Sequence, residues 1–242
     1  MDTIAFTQQF RDIFGKNGLD RFCTEPIISR FSDFSELLLQ VNAHTNLTAI
    51  REVPDIIAKH YADCLLAEPF FPRDATVLDV GCGGGFPSVP LAIARPDLQI
   101  TAVDSTAKKI AFVQAAAASQ AMDNLNPICG RIEDRSFSRM KAKFHVATSR
   151  AVAKLSVLAE LLFPYIRVGG VLIALKGPSG GEELAEAQQA IRTLGGGAPE
   201  DHVFSLQCAE HEETRHIILI RKIADTPAQY PRPYATIQKR PL

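Results

Sequence analysis

Four glycines stand within five positions in "DVGCGGG" (Asp79 to Gly85), and an acid, Asp104, closes the next apolar run, "LQITAVD". A strand, a glycine-rich turn and a helix in that order leave free backbone N–H groups and the positive end of a helix beside a ligand. Glycine is needed where the chain turns sharply and a ligand approaches the backbone. An acid ending the following strand, about twenty residues on, stands where it can accept hydrogen bonds from a ribose. The chemistry indicated is the binding of a nucleotide-like molecule. A dinucleotide loop would read G-x-G-x-x-G, whereas Gly81, Gly83 and Gly85 give G-x-G-x-G directly after Asp79. A carboxylate at Asp79 repels a pyrophosphate and suits a cationic group. A tight turn with no ligand and a nicotinamide dinucleotide site stand as the alternatives.

The elements that must carry this loop alternate from about Thr76 onward. "TVLDV" and "LQITAVD" read as strands, with "PSVPLAIAR" a helix between them. Pro87 lies where a missing N–H costs least. "TAKKIAFVQAAAASQAM" is an Ala-rich helix capped by Ser105 or Thr106. "NPICGRIED" and "FHVATSRA" hold a third and a fourth strand. "VAKLSVLAELLFPYIR" is an amphipathic helix, which Gly169–Gly170 should end before the strand "VLIALK". "GEELAEAQQAIRTL" predicts one further helix, stopped by Gly195, Gly196 and Gly197. "DHVFSLQC" and "RHIILIRK" lie too close for a parallel crossover and predict an antiparallel pair at the end of the sheet. The fold class is α/β: a doubly wound, mostly parallel sheet with an antiparallel strand at its end. Residues 1–70 are Phe-rich without strand rhythm and predict a helical N-terminal extension; residues 71–242 form the ligand-binding domain with a basic C-terminal tail.

Composition narrows the setting. The 242 residues are 46% hydrophobic and 22% charged, ordinary for a globular chain. No run approaches the ~20 apolar residues of a membrane helix, and the start of the chain is a poor secretory signal. Five scattered cysteines without a C-x-x-C pair suit a reducing cytoplasm and argue against a metal site or a disulfide framework. Net charge is −1, but its distribution is uneven. Seven basic residues fall between Arg131 and Lys154 against two acids, and five lie from Arg221 to the end against one. If these segments meet on one face they form an anion-binding surface. Solvated faces of ordinary helices are the other reading.

The "DVGCGGG" form resembles motif I of the class I S-adenosylmethionine methyltransferases. Further stretches resemble one family, the bacterial RsmG (GidB) methyltransferases: "NAHTNLTAIRE", "KHYADCLL" with Cys64 in place of serine, "VDSTAKKIAFVQ" with Lys109 in place of arginine, "TSRAVAKL", "LIALKG" and the tail "YPRPYATIQKRPL". They span nearly the whole chain in the family's order. The tail departs from the pattern at "PYATIQ", where the family has glycine and proline. The resemblance implies a Rossmann-like fold, S-adenosyl-L-methionine as cofactor and methylation of guanine N7 in 16S ribosomal RNA, at guanine 527. It implies a bacterial cytoplasmic enzyme acting as a monomer on 16S RNA or the assembling small subunit, with no membrane partner. It also implies cofactor contacts at Gly81, Phe86, Ile132, Glu133 and Arg150. Asp79, Gly83, Gly85 and Asp104 join them from the loop reading above. Arg150 has two alternatives: a phosphate contact, or a buried partner of Asp79.

Guanine N7 carries an in-plane lone pair and no proton, so its methylation needs alignment rather than a general base. No residue is therefore assigned as an acid or base. Asn46, His60, Asp63 and Arg150 are candidates for handling the guanine, with a structural bridging role the alternative for His60. His44, His145, His202, His211 and His216 show no ligand spacing and read as structural, and no metal site is expected. Arg135, Arg139, Lys141, Lys143, Lys176, Arg232, Lys239 and Arg240 are the candidate RNA-binding residues. Tyr230 and Tyr234 suit stacking on a base or packing of the tail. The acidic helix around Glu183 and Glu186 should face away from RNA. A methyltransferase for another acceptor, and a non-catalytic RNA-binding assembly factor, remain open.

Overall fold

A computed structural model describes residues 2–150 and 152–242. Met1, and Ala151 of the S-R-A segment, lie outside the described residues. Phe6, Phe10, Ile13 and Phe14 recur at helical spacing and form the buried stripe of α1 (Thr3–Lys16), which Asp2 caps by accepting from the N–H groups of Ile4 and Ala5. In α2 (Glu25–Thr45) the stripe is Ile28, Phe31, Phe34 and Leu38. α3 (Val53–Ile56), a π-helical segment (Ile57–Ala62) and α4 (Asp63–Leu65) follow one another directly. These helices share one apolar core with Val77 and Ile100 of the sheet. The phenylalanines of the first seventy residues are therefore a packing device. Ring contacts run from Phe10 to Phe31 at 5.3 Å, Phe31 to Tyr61 at 4.7 Å, and Phe34 to Phe86 at 5.9 Å, ending at the glycine loop.

Among the described residues seven strands form one sheet: β1 (Thr76–Val80), β2 (Gln99–Asp104), β3 (Leu125–Cys129), β4 (Phe144–Arg150), β5 (Ile166–Lys176), β6 (Gly196–Gln207) and β7 (Glu212–Lys222). Their order is β3-β2-β1-β4-β5-β7-β6. The first five are parallel, and β7 is antiparallel to both β5 and β6. The antiparallel strand is thus one place in from the edge, and β6 is the edge. α5 (Ser88–Ala94) and α6 (Ala107–Ser119) follow β1 and β2, and α7 (Leu155–Leu162) precedes β5. Strand order reverses between β1 and β4, the switch point at which such sheets bind ligands. Pro127 sits in β3, and Pro199 stands where the pairing of β6 shifts register. Both strands are sheet edges, where a missing N–H is tolerated.

Two helix ends differ from expectation. The helix before β5 stops at Leu162, followed by a 3₁₀ turn through Pro164, and β5 already begins at Ile166. Gly169 and Gly170 lie inside that strand, next to the register shift between Phe144 and Val146. Gly169 has φ +84, and a Cβ on Gly170 would stand 2.7 Å from the carbonyl oxygen of His145. These glycines permit the irregular pairing; proline ends the helix. The expected single helix after Gly180 is two, α8 (Gly180–Glu186) and α9 (Gln188–Thr193). A final short helix, α10 (Tyr234–Lys239), closes the tail.

Candidate active site

The turn between β1 and α5 is built by its own backbone. Gly81 N–H donates to Val103 O at 2.7 Å, and the N–H groups of Gly85 and Phe86 both donate to Cys82 O at 2.8 Å. Gly81, Gly83 and Gly85 have φ of +79, +56 and +91, a region open to glycine and costly to other residues. Gly81 has a second reason, because a Cβ there would stand 2.3 Å from Val152 Cγ2. Asp104 fixes the turn from β2: one carboxylate oxygen accepts from Gly83 N–H at 3.0 Å, the other from Thr106 N–H at 2.8 Å.

A cavity of about 550 Å³ opens above this turn, at the carboxyl ends of β1, β2 and β4, a size suited to one small ligand. Gly81, Gly83, Phe86, Asp104, Ile132, Glu133, His60 and Arg150 line it. Gly85 and Asp79 lie behind it. Asp79 is fully buried and accepts a 2.5 Å hydrogen bond from the Ser88 hydroxyl. Its Oδ1 has no partner among the described residues. Burial pushes its carboxyl up to about 7, against the opposing pull of Ser88 and Arg150. Ile132 is held in place through its carbonyl, which accepts from the Tyr165 hydroxyl.

The opposite wall comes from the helical region. Arg150, at the end of β4, donates to Asp63 Oδ2 and to Lys59 O at 2.8 Å each, and to His60 Nδ1 at 3.0 Å. Its carbon Cζ lies 5.2 Å from the centre of the Phe86 ring, and the His60 ring stacks on that ring at 4.2 Å. Because a guanidinium only donates, His60 Nδ1 accepts, so Nε2 carries the hydrogen and donates to Thr48 Oγ1 at 2.8 Å. Burial and then the Arg150 charge lower the imidazole to about 3, leaving it neutral. With both ring nitrogens engaged, His60 offers the cavity a flat face.

Asp63 does not reach the cavity. It sits 8% exposed between two arginines, accepting from Arg150 at one oxygen and from Arg215 Nε at the other, 2.8 Å. Asp63, not Asp79, is thus the partner of Arg150. Asn46 is also outside the cavity: it is the exposed C-cap of α2 at φ +51, and its neighbours Leu47 and Thr48 form the lining instead. Arg215 carried no signal in the sequence, since it acts only where remote elements converge. Thr48 and Lys109 stand in the family-like stretches, were not singled out as site residues, and line the cavity.

Of the candidate RNA residues, Arg135, Arg139, Lys143, Lys239 and Arg240 are exposed. Lys141 donates to Tyr230 O at 2.7 Å, which brings the two basic segments together. A second cavity of about 470 Å³ lies there, lined by Arg135, Lys141, Pro231 and Tyr234 among others, and it shares Glu133 and Tyr234 with the first. Lys176 and Arg232 are not surface cations. Lys176 is 6% exposed, donates to Ala153 O and pairs with Glu183 at 2.6 Å. Arg232 is bound to the fully buried Glu160 at 2.5 Å. Each neutralises an acid within the fold. Cys208, His211 and Glu213 bring possible ligand atoms within 4.8 Å of one another, although Glu213 already binds Arg215 and His211.

The family described as GidB, rRNA small subunit methyltransferase G, matches residues 27–222. A protein of Brevibacillus brevis named ribosomal RNA small subunit methyltransferase G is 39% identical over 97% of this chain and 98% of its own. Among solved structures, the precorrin-6y C5,15-methyltransferase of Geobacter metallireducens superposes with a TM-score of 0.51 at 13% identity, covering 74% of this chain and 92% of that one. Geranyl diphosphate C-methyltransferase of Streptomyces coelicolor, solved with S-adenosyl-L-homocysteine, gives 0.51 at 13% identity, over 67% and 79%. These two likenesses concern the fold, which is that of the class I methyltransferases.

Proposed function

The chain belongs to the small-subunit ribosomal RNA methyltransferase G family, and from that membership we propose that it methylates N7 of a guanine in 16S ribosomal RNA, guanine 527 by the family resemblance. It is an S-adenosylmethionine-dependent methyltransferase. The observation that carries the reading is the cavity at the switch point, with a glycine turn on one side and the Arg150–His60–Phe86 wall on the other.

The residues present fit the cofactor. Asp79 Oδ1, buried and without a partner among the described residues, suits the cationic amino end behind the Gly81–Gly85 turn. Asp104 keeps lone pairs for two ribose hydroxyls, and Ile132 and Glu133 flank the base. A pyrophosphate in the same turn would lie over the buried Asp79 carboxyl, which disfavours a dinucleotide. When bound, the cofactor supplies an electrophilic methyl group on a positively charged sulfur.

The chain's own task is alignment and exclusion of water, a contribution on the order of 7–11 kcal/mol when reacting atoms are well oriented. The neutral His60 ring, backed by Phe86 on which it stacks, is a dry wall suited to packing a guanine ring, and Arg150 holds both in register. No proton has to be removed from N7, so a histidine lowered to about 3 is no handicap. The exposed cations Arg135, Arg139, Lys143, Lys239 and Arg240 are read as phosphate contacts. Among the described residues no helix is long and apolar enough to cross a membrane. A cytoplasmic enzyme acting as a monomer on 16S RNA or the assembling subunit is the matching setting.

The test is incubation with tritiated S-adenosylmethionine and small subunits from cells lacking the enzyme, followed by nucleoside analysis. Label in 7-methylguanosine, lost in Arg150→Ala, is expected. Label in another nucleoside, or none with cofactor bound, overturns the acceptor.

A further inference from the structure

The C-terminal tail is tied to the fold by a contact whose composition is unusual for a surface segment. Glu160 is fully buried in α7, yet charged residues are rarely buried without a partner. Its partner is Arg232: Oε1 accepts from the Arg232 backbone N–H at 3.0 Å and from Nε at 2.7 Å, and Oε2 accepts from Nη2 at 2.5 Å. The same guanidinium donates to Arg240 O at 3.0 Å, so one side chain holds both ends of the tail helix. Such a bidentate pair fixes direction as well as position. Two residues beyond Arg232, Tyr234 begins α10, whose Ile237 is fully buried.

Tyr234 is half-buried and belongs to the walls of both cavities. Its place along the first cavity can be read from the sheet. The base of a nucleotide bound at such a switch point lies beyond the ribose acceptor, toward the strand after it. Here the acceptor is Asp104, ending β2, and Ile132 and Glu133 follow β3. Tyr234 shares with Glu133 the end where the two cavities meet, while Thr48 and His60 line the helical side with Arg150. We propose that Tyr234 closes the adenosine end of the cofactor site as a contact residue for the base, and that the Arg232–Glu160 pair is the latch that positions it. Glu160 and Arg232 act through Tyr234 and touch no reactant. The inference rests on the cofactor reading above and adds the tail to that site.

The protein has no tryptophan and four tyrosines. Tyr61 and Tyr165 are buried away from solvent and Tyr230 is 8% exposed, and the part of any ligand-induced change in tyrosine emission that belongs to Tyr234 is the part that disappears in Tyr234→Ala. The experiment measures binding of S-adenosylhomocysteine and of 5′-methylthioadenosine, which lacks the amino-acid end, by equilibrium dialysis and by tyrosine emission. The proteins are the full-length wild type, Tyr234→Ala, Arg232→Gln and the double variant. Wild-type emission should change on binding. Tyr234→Ala should bind both ligands about tenfold more weakly, the loss expected when one stacking aromatic is removed. Arg232→Gln should show a similar loss, and the double variant no more than either alone, because the two residues act as one unit. Tyr234→Ala lies at a partly exposed ring and keeps the test valid if Arg232→Gln fails to fold. Tight binding of both ligands by Tyr234→Ala overturns the proposal and leaves the cofactor site standing. A loss for S-adenosylhomocysteine alone moves Tyr234 off the adenosine end and overturns it likewise. Additive losses in the double variant remove the latch. Failure of the wild type to bind either ligand removes the cofactor reading and the proposal with it.

Discussion

The Asp63 carboxylate and the Arg150 guanidinium meet at 2.8 Å although 87 residues separate them in sequence, and the contact joins the helical region to the end of β4. Arg215 takes the other Asp63 oxygen, so one acid lies between two arginines of which only Arg150 reaches the cavity. Removing one partner of a buried pair leaves uncompensated charge, a loss of about 3–5 kcal/mol. Asp63→Ala should therefore lower the melting temperature and reduce kcat/KM by more than tenfold. Asp63→Asn keeps the shape and should recover part of the stability but less of the activity. An Asp63→Ala protein that melts and methylates like the wild type would show that the pair is ornamental.

Asp79 predicts a pH dependence with a definite sign. The unfolded chain ionises this carboxyl near pH 4, and burial delays ionisation in the folded protein until about 7. Its contribution to stability is full below about pH 4 and is lost as pH rises through 7, a change on the order of 4 kcal/mol. Asp79→Asn should consequently be more stable than wild type at pH 8 and no more stable at pH 4. Cofactor affinity should move the opposite way, rising with pH up to about 7 because an ammonium group favours the carboxylate. Calorimetric titrations at pH 5.5, 7 and 8.5 check this, and a flat wild-type affinity would detach Asp79 from the amino end.

The alternation of strands and helices was legible because both patterns are local: apolar runs and glycine turns announce themselves within ten residues. The glycine turn and Asp104 were legible for the same reason. The errors lie where two distant segments decide. Gly169–Gly170 reads as a helix stop until β4 is seen to pair irregularly beside it. Lys176 and Arg232 read as RNA cations until Glu183 and Glu160 fold onto them. Arg215 has no local signal, since its role exists only once β7 passes the Lys59–Asp63 turn.

His60 should behave as a neutral, silent histidine. With its imidazole lowered to about 3 by burial and by Arg150, its contribution to stability is present above about pH 6.5 and is lost as pH falls toward 3. Nuclear magnetic resonance should find one histidine that does not titrate between pH 5 and 8. In Arg150→Met the same ring should move toward the ordinary range, since one of its two suppressing causes is gone. The rate profile of the wild type should show no limb belonging to His60. A His60 signal titrating near 6.5 in the wild type would contradict the arrangement.

Substitution at Gly81 should separate binding from folding less cleanly than at other turn residues, and the direction is still fixed. Alanine there must adopt φ +79 and bring its Cβ to 2.3 Å from Val152 Cγ2. The strain is of the order of 1–3 kcal/mol, and either the turn or Val152 must move. Gly81→Ala should lower cofactor affinity by at least tenfold with a smaller drop in melting temperature. Unchanged affinity would mean that the ligand does not approach this backbone.

Salt dependence distinguishes surface cations from structural ones. Each phosphate contact by a lysine or arginine adds roughly 0.7–0.9 to the slope of log affinity against log salt. Single alanine variants of exposed Arg135, Arg139, Lys143, Lys239 and Arg240 should each weaken small-subunit RNA binding, and those that touch phosphate should flatten the slope by about one contact. Lys176→Met should do neither to the slope, because Lys176 is buried on Glu183. It should instead cost stability by leaving that acid unpaired. Filter binding over a series of salt concentrations, paired with melting curves, reads both effects. A flattened slope in Lys176→Met with an unchanged melting temperature would return Lys176 to the RNA face. Slopes unchanged from the wild type in all five exposed variants would mean that RNA approaches the protein from another side.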